Sequence, residues 1–311
     1  MIKKDFKLGV SIAASWAWGT SLILGMQISQ EKGFIPFLIW AIANSLTLAI
    51  FGELNRRNII TRDTYNKKAI KGLAVVIQMF CLIIQLNIIN TTLLSLGLGT
   101  KSSYITVAVI GIIFVTAMYR KGLKTSIFTD KIQWFIAMGI MLLMLAIGML
   151  SNVEHNVIMQ GDISGIKWAV WSACILIAAP FGDIQHWQRA DLNGKGSAFS
   201  IGACLFAFYM VLVFILSLFQ FNTAMNILLL ISVLCVTTST IDSIAVAMHE
   251  MVNKKVGTIV SVAFCLLWGV FAEIGVLELW SKFGVYRVGF AVVVVSVALS
   301  LKYKKSGAVE Q

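Results

Sequence analysis

The sequence predicts an all-α membrane protein with ten transmembrane helices in two inverted five-helix repeats, of which helices 1 and 6 are discontinuous. Three observations predict this class. The 311 residues are 59% hydrophobic and only 13% charged, whereas a soluble domain of this length needs a far more polar surface. The apolar residues recur in runs of roughly 20, the length that crosses a bilayer as a helix. The basic residues also alternate along these runs.

The ten spans follow one another with short connections. We expect them at residues 8–28, 33–54, 70–95, 103–119, 125–150, 166–183, 197–219, 225–248, 256–274 and 283–302. Since no Pro/Ser-rich linker separates them, residues 1–311 are predicted to form one transmembrane domain, with repeats over about 8–150 and about 166–302. The first span is interpreted as a retained helix, because further spans follow it instead of a cleavage site.

The basic residues predict that both termini lie in the cytoplasm. With a cytoplasmic N-terminus, all but five of the 25 lysines and arginines fall on the inner side, as the positive-inside rule requires. The five outer residues are Lys32, Lys101, Lys167, Lys282 and Arg287. The net charge of +11 therefore indicates topology and anionic lipid, not nucleic acid. We expect the protein to lie in the cytoplasmic membrane of a bacterium. We also expect that no lysine or arginine lies deep in a span.

Spans 1 and 6 carry the signs of broken helices. Small and hydroxyl residues lie around Trp16 to Ser21 at about mid-membrane depth, and span 6 contains Pro180, one of only two prolines. Proline removes a helix hydrogen bond, and irregular backbone at this depth survives only where protein or a polar cavity satisfies it. Either feature alone is explained by a kink or a packing contact. Their matched placement, five helices apart, favours inverted halves with a site between the breaks.

Span 8 carries five hydroxyls and one carboxylate in TTSTIDS, residues 237–243. Hydroxyls that bond the preceding turn or join helices explain one or two of them, but an intramembrane carboxylate such as Asp242 is costly and usually functional. Ser239 and Thr240 are adjacent, and the Val236 carbonyl lies one turn earlier on nearly the same side. These oxygens could form half of a site for a small hard cation, completed by free carbonyls of span 1.

Four segments resemble the sodium/solute symporter family. They are STIDS (239–243), GLKTSIFTDKIQ (122–133), DIQHWQRA (183–190) and ASWAWGTSLILG (14–25). They occur in the family's order and on the corresponding helices, so the resemblance extends over the ten-helix core. It implies a five-plus-five inverted-repeat fold and sodium-coupled uptake of a solute by alternating access.

The resemblance also implies a sodium site between helices 1 and 8. Its ligands would be the hydroxyls of Ser239 and Thr240 and the carbonyls of Ala13, Trp16 and Val236.

Four charged residues are candidates for roles near this site. By the resemblance, Asp130 would lie on the cytoplasmic release path of the ion, although an N-cap of helix 5 also explains a carboxylate there. Asp242 either tunes the ion site or anchors the inner half of helix 8. Asp183 and Arg189, which follow the break in helix 6, form either a structural ion pair or a gate. The remaining hydroxyls of the segment are assigned to helix packing: Thr237, Thr238 and Ser243.

The solute pocket is expected between the two breaks and helices 3, 8 and 10. Its candidate residues are Trp18, Gly19, Thr20, Gln85, Ala179 and Phe181. Sugar transporters of the family carry a large aromatic in the helix 6 break, where this chain has Ala178 and Ala179, so a sugar is disfavoured. A small neutral, zwitterionic or nitrogen-rich solute is expected instead, with tryptophan faces for stacking or cation–π contact.

Two other interpretations stay open. The same fold could couple to protons, with Asp130 or Asp242 titrating, or it could serve as a non-transporting membrane sensor or binding module. An enzyme is the least expected class, because no His/Cys/Asp cluster has metal-ligand spacing and the three histidines lie in or beside predicted loops. Sodium is the only cofactor expected, and the oligomeric state is not predicted.

Overall fold

The computed structural model describes residues 2–150, 161–193 and 196–307. Within these ranges the chain is helical, with one short 3₁₀ turn and no strand. The α-helices are Ile2–Trp16 (α1), Gly19–Lys32 (α2), Phe34–Arg56 (α3), Arg62–Tyr65 (α4), Lys68–Ser95 (α5), Thr100–Ala117 (α6), Leu123–Leu150 (α7), Ile163–Gly182 (α8), Ile184–Asn193 (α9), Ala198–Ser217 (α10), Thr223–Met251 (α11), Lys254–Leu267 (α12) and Val276–Gly307 (α13).

The helices confirm the predicted all-α membrane fold. In the described part of the chain, nine helices are long and apolar enough to cross a membrane, and the bent pair α1–α2 makes a tenth span. The inverted relation of the two halves stays a prediction. The last span differs most from its predicted bounds, because α13 begins at Val276, seven residues before the predicted start. His155 and Lys195 lie outside the described residues.

The first span is broken as predicted, with a bend of 62° between α1 and α2. The backbone turns because the Trp18 N–H bonds the Trp16 carbonyl at 2.8 Å, only two residues back. The free N–H of Gly19 at the start of α2 donates to Gln85 Oε1 of α5 at 3.2 Å. A side chain at position 19 would collide with Thr237 and Ile88. Glycine is therefore required by the close approach of α5 and α11.

The second break lies at Asp183 and not at Pro180. α8 continues through Pro180 to Gly182, Asp183 is extended (φ −91°, ψ 94°), and α9 begins at the next residue. The helix ends there because Gln78 Nε2 of α5 donates to the Gly182 carbonyl at 3.1 Å and to Asp183 Oδ1 at 3.4 Å. A side chain from another helix thus replaces the partner that the next turn would have provided.

The two breaks lie against each other. Gln185 Nε2 of α9 donates to the Ser15 carbonyl of α1 at 3.1 Å, and the rings of Trp16 and His186 meet edge to face at 5.2 Å. Every side chain of α9 from Ile184 to Ala190 is buried. Around them α1 packs on α10, α3 on α8, and α11 on α5 and α7. The breaks, α9 and the polar segment of α11 therefore share the core.

Gly19→Ala should destabilise the fold, because the added methyl meets Thr237 and Ile88. Overpacking of this kind costs about 1–3 kcal/mol, so we expect a lower midpoint of thermal unfolding in detergent. Gly139→Ala is the matched control, since nothing lies within 4 Å of a Cβ at that helical position. Equal midpoints for the two variants would show that the contact around Gly19 is not tight.

Candidate ion and solute site

A buried carboxylate on α7 joins four helices. Asp130 Oδ2 accepts from Ser11 Oγ of α1 at 2.5 Å and from Arg189 Nη2 of α9 at 2.6 Å. Its Oδ1 accepts from Ser239 Oγ of α11 at 2.8 Å. Asp130 is not an N-cap, because α7 begins seven residues earlier at Leu123 and its first-turn N–H groups are out of reach.

Arg189 is the ion-pair partner of Asp130, and both side chains are fully buried. Arg189 Nε donates to Ser11 Oγ at 3.0 Å, its Nη1 to the Gln185 carbonyl at 2.9 Å, and its Nη2 also to Ser243 Oγ at 3.0 Å. The pairing of Arg189 with Asp183 that their shared position after the break suggested does not occur. We refer to Ser11, Asp130, Arg189, Ser239 and Ser243 as the Asp130 cluster.

The expected sodium ligands on α11 keep oxygen lone pairs available. Ser239 donates its proton to Asp130, and Thr240 Oγ1 donates to the Val236 carbonyl at 3.1 Å. Both hydroxyls act as donors in these bonds, which leaves the lone pairs of their oxygens unused. Hydroxyl and carbonyl oxygens are the ligands that a hard cation prefers. Within the described residues no group of three or more His, Cys, Asp and Glu could hold a metal ion. A cation here would depend on neutral oxygens.

Two of the three expected carbonyl ligands, Ala13 and Trp16, lie at the end of α1, which contacts α11. The Ala13 carbonyl accepts from the Ala17 N–H at 2.8 Å, and the Trp16 carbonyl accepts from Trp18 N–H. Each carbonyl has a second lone pair. The oxygens of Ala13, Trp16, Ser239 and Thr240 therefore fit sodium, whereas the Val236 carbonyl already accepts from the Thr240 hydroxyl and, within the helix, from the Thr240 N–H.

The other polar residues of α11 differ in their contacts. Thr237 and Thr238 bond carbonyls one turn back, both at 2.6 Å, which agrees with the predicted packing role. Ser243 instead belongs to the Asp130 cluster. Asp242 is buried, but its Oδ2 has one donor, Thr129 Oγ1 at 3.2 Å, and its Oδ1 has no partner among the described residues.

A small cavity of about 10 Å³ lies beside the α1–α2 break. It is lined by four tryptophans, Trp16, Trp18, Trp40 and Trp280, and by Thr20, Ser21, Asn44, Leu176 and Arg287. Of the six expected solute residues, Trp18 and Thr20 are in this lining. Gly19 and Gln85 bond each other next to it. Ala179 and Phe181 do not line it, and the Phe181 ring packs on Phe51 at 5.7 Å.

Arg287 contradicts the expectation that no basic residue lies deep in a span. It is three turns into α13 and only 2% exposed, and its guanidinium lies 4.4 Å from the centre of the Trp18 ring. The sequence did not reveal this depth, because the predicted span began at residue 283 and Arg287 was therefore counted near its outer end. A signal was present, since Trp280, Phe283 and Arg287 are spaced so that they share one helix face.

A second ionic network was also missed. Arg62 of α4 forms ion pairs with Asp191 of α9 and Glu250 of α11, and Gln188 Nε2 donates to Glu250 Oε2 at 2.7 Å. We call these four residues the inner network, because they lie on the side predicted to face the cytoplasm. The partners of Arg62 are more than 120 residues away in the sequence, which no local pattern can reveal.

Comparison with known proteins leaves the function open. No protein-family model matches the chain, and no curated protein matches it. Among solved structures, the chain is similar to a Na⁺-coupled sialic acid symporter in a substrate-bound outward-open state. The TM-score is 0.47, with 14% identity over 98% of this chain and 74% of that chain. A similarity this low carries no argument about function, which must come from the site.

Removing one partner of the Asp130–Arg189 pair should destabilise the protein strongly, because it leaves an uncompensated buried charge. Such losses are about 3–5 kcal/mol. We expect Asp130→Asn and Arg189→Gln each to lower the midpoint of thermal unfolding, and the double variant to lose less than the sum of the two.

The exposed pair of Lys282 and Glu278 provides the control. Their side chains are 69% and 56% exposed, so Lys282→Gln should leave the midpoint almost unchanged. Additive losses for the two core substitutions would mean that the pair is not energetically coupled.

Proposed function

We propose that the protein is a sodium-coupled secondary transporter that imports a small organic solute by alternating access. One observation carries this proposal: the Ser239 and Thr240 hydroxyls keep free lone pairs in a buried segment of α11 that packs near the broken first span. Neutral oxygen ligands beside an unwound membrane helix are typical of coupling-ion sites in transporters. The resemblance of four sequence segments to sodium/solute symporters agrees with it.

In this proposal the ion is held by the hydroxyls of Ser239 and Thr240 and the carbonyls of Ala13, Trp16 and Val236. A bound sodium ion would supply a positive charge that draws α1 and α11 together. Ser239 would act in two places, because its oxygen faces the ion while its proton is donated to Asp130. The state of the Asp130 cluster would then depend on whether the ion is present.

Release to the cytoplasm would require the Asp130 cluster and the inner network to separate. Both join α9 to α11, and the inner network adds α4. Asp130 would accept the ion on this path once Arg189 moves away. A ligand can shift a conformational equilibrium only by its difference in affinity for the two states. Because Ser239 would contact both the ion and Asp130, sodium would bind differently to the state with the Asp130 cluster closed and the state with it open.

The solute would bind in the cavity beside the α1–α2 break, where Trp16 and Trp18 present their rings. A small neutral, zwitterionic or nitrogen-rich compound was the expectation from the sequence. The lipid bilayer is the other partner, and both termini would face the cytoplasm. The whole chain would act as one transmembrane domain.

Sodium should bind the purified protein and raise its midpoint of thermal unfolding relative to potassium, since a ligand of the folded state stabilises it. We expect Ser239→Ala combined with Thr240→Val to raise the half-maximal sodium concentration at least about tenfold, which corresponds to about 1.4 kcal/mol of lost binding free energy. Thr237→Val is the matched control, because that hydroxyl bonds only its own helix.

An equal response to sodium and potassium would refute sodium coupling, as would an unchanged response in the Ser239/Thr240 variant. Transport itself is measured as uptake of ²²Na⁺ into proteoliposomes in the presence of a panel of candidate solutes. Solute binding without any flux would favour a sensor or binding module.

Proton coupling is a second candidate, and Asp242 is the observation that favours it. One of its buried oxygens has a single hydroxyl donor, and the other has no partner in the described part of the chain. If protons drive transport, currents of the same solute panel across a supported membrane should persist without sodium and follow an imposed pH gradient. Asp242→Asn should then abolish those currents, whereas it should leave a sodium-driven process active.

A further inference from the structure

We propose that the cavity beside the α1–α2 break binds a solute through its carboxylate, and that Arg287 holds this group. The inference rests on the proposed function and narrows its solute to a carboxylate-bearing compound, zwitterionic or anionic. The expected class was a small neutral, zwitterionic or nitrogen-rich solute; the inference keeps the zwitterions and adds anions, because Arg287 is a basic residue deep in the last span.

Three buried nitrogen donors of the residues that line the cavity have no partner in the described part of the chain. Trp40 Nε1, Asn44 Nδ2 and Arg287 Nε are buried and have no partner among the described residues. The orientation of the Asn44 amide is set by its neighbour, because Asn44 Oδ1 accepts from Trp16 Nε1 at 2.9 Å. Buried donors without acceptors are costly. A ligand that supplies several acceptor oxygens would relieve this cost, and a carboxylate supplies two.

Arg287 also provides the only charge among the described residues that line the cavity. Its Nη2 contacts Cys81 Sγ at 2.8 Å and Asp183 Oδ1 at 3.5 Å, the latter long for a charge-assisted bond. The guanidinium plane has five N–H donors, so its Nε edge remains for a ligand. Paired, parallel bonds to a carboxylate are the geometry for which arginine is suited.

The cavity must widen before any solute fits. Its volume of about 10 Å³ suits roughly one water molecule. The Trp18 ring, stacked against the Arg287 guanidinium, would have to shift or form one wall of the opened site. The carboxylate would then face Arg287 while the remainder of the solute lies between tryptophan rings, which accept apolar or cationic groups.

The competing explanation is that Arg287 only pairs with Asp183 and fixes α13 to the second break. The two explanations differ in what they require of Asp183. If Arg287 only forms a structural pair, removing both charges leaves no unpaired charge and should not affect solute binding. If Arg287 binds the carboxylate, its removal should weaken binding whether or not Asp183 is also replaced.

The test is a thermal-shift screen of the full chain in nanodiscs with sodium present. The probes are L-amino acids, 2-oxo acids and hydroxy acids, each paired with its carboxamide. We expect at least one carboxylate to raise the unfolding midpoint and its carboxamide to have no effect. Arg287→Gln should weaken binding of that carboxylate at least tenfold. The double variant Arg287→Gln with Asp183→Asn, which removes both charges, should weaken its binding equally.

Three results would overturn the inference: carboxamides that act as well as their acids, a double variant that binds the acid normally, or a screen in which no carboxylate acts. The sodium response of the Arg287 variants separates this inference from the proposed function. If sodium still stabilises them through Ser239 and Thr240 while no carboxylate acts on the native chain, only the solute class is wrong. If sodium never binds but the acid effect depends on Arg287, the coupling ion is wrong and the solute class stands.

Discussion

The fully buried ion pair of Asp130 and Arg189 is the constraint on which the centre of the molecule depends. Placing two charges inside a membrane protein is unfavourable unless each is satisfied by further polar groups. Here the satisfaction comes from Ser11 and from Ser239 and Ser243. As a result α1, α7, α9 and α11 can meet in only a few ways, because a shift of any one leaves a charge without its partners.

Features that depend on composition over many residues could be predicted from the sequence. Each membrane span reflects about 20 side chains, so the number of spans and the all-α class were correct. The break in the first span was also predicted, because the run from Trp16 to Ser21 carries its own signal. Pro180 was a misleading local signal for the second break, since the helix ends where Gln78 of another helix reaches its backbone.

The parts of the site that could not be predicted depend on contacts between distant residues. Asp130 and Arg189 are 59 positions apart, and each was noticed without its partner. Arg287 was counted with the outer residues because it lies close to the predicted start of the last span at residue 283, whereas α13 begins at Val276 and carries Glu278 and Lys282 on an exposed face. Its burial depends on Trp18 and Asp183 from the two breaks, which only the folded chain brings to it.

The short helix α9 connects the two charged centres of the core. Asp183, directly before it, contacts Arg287, and Arg189, the sixth of its ten residues, pairs with Asp130. Six residues of helix separate the two by roughly 9 Å. Since less than two turns of one helix join these two contacts, a movement of Asp183 would displace Arg189 as well. Two substances that bind at opposite ends would then alter each other's affinity by the same factor, as linkage requires, without touching.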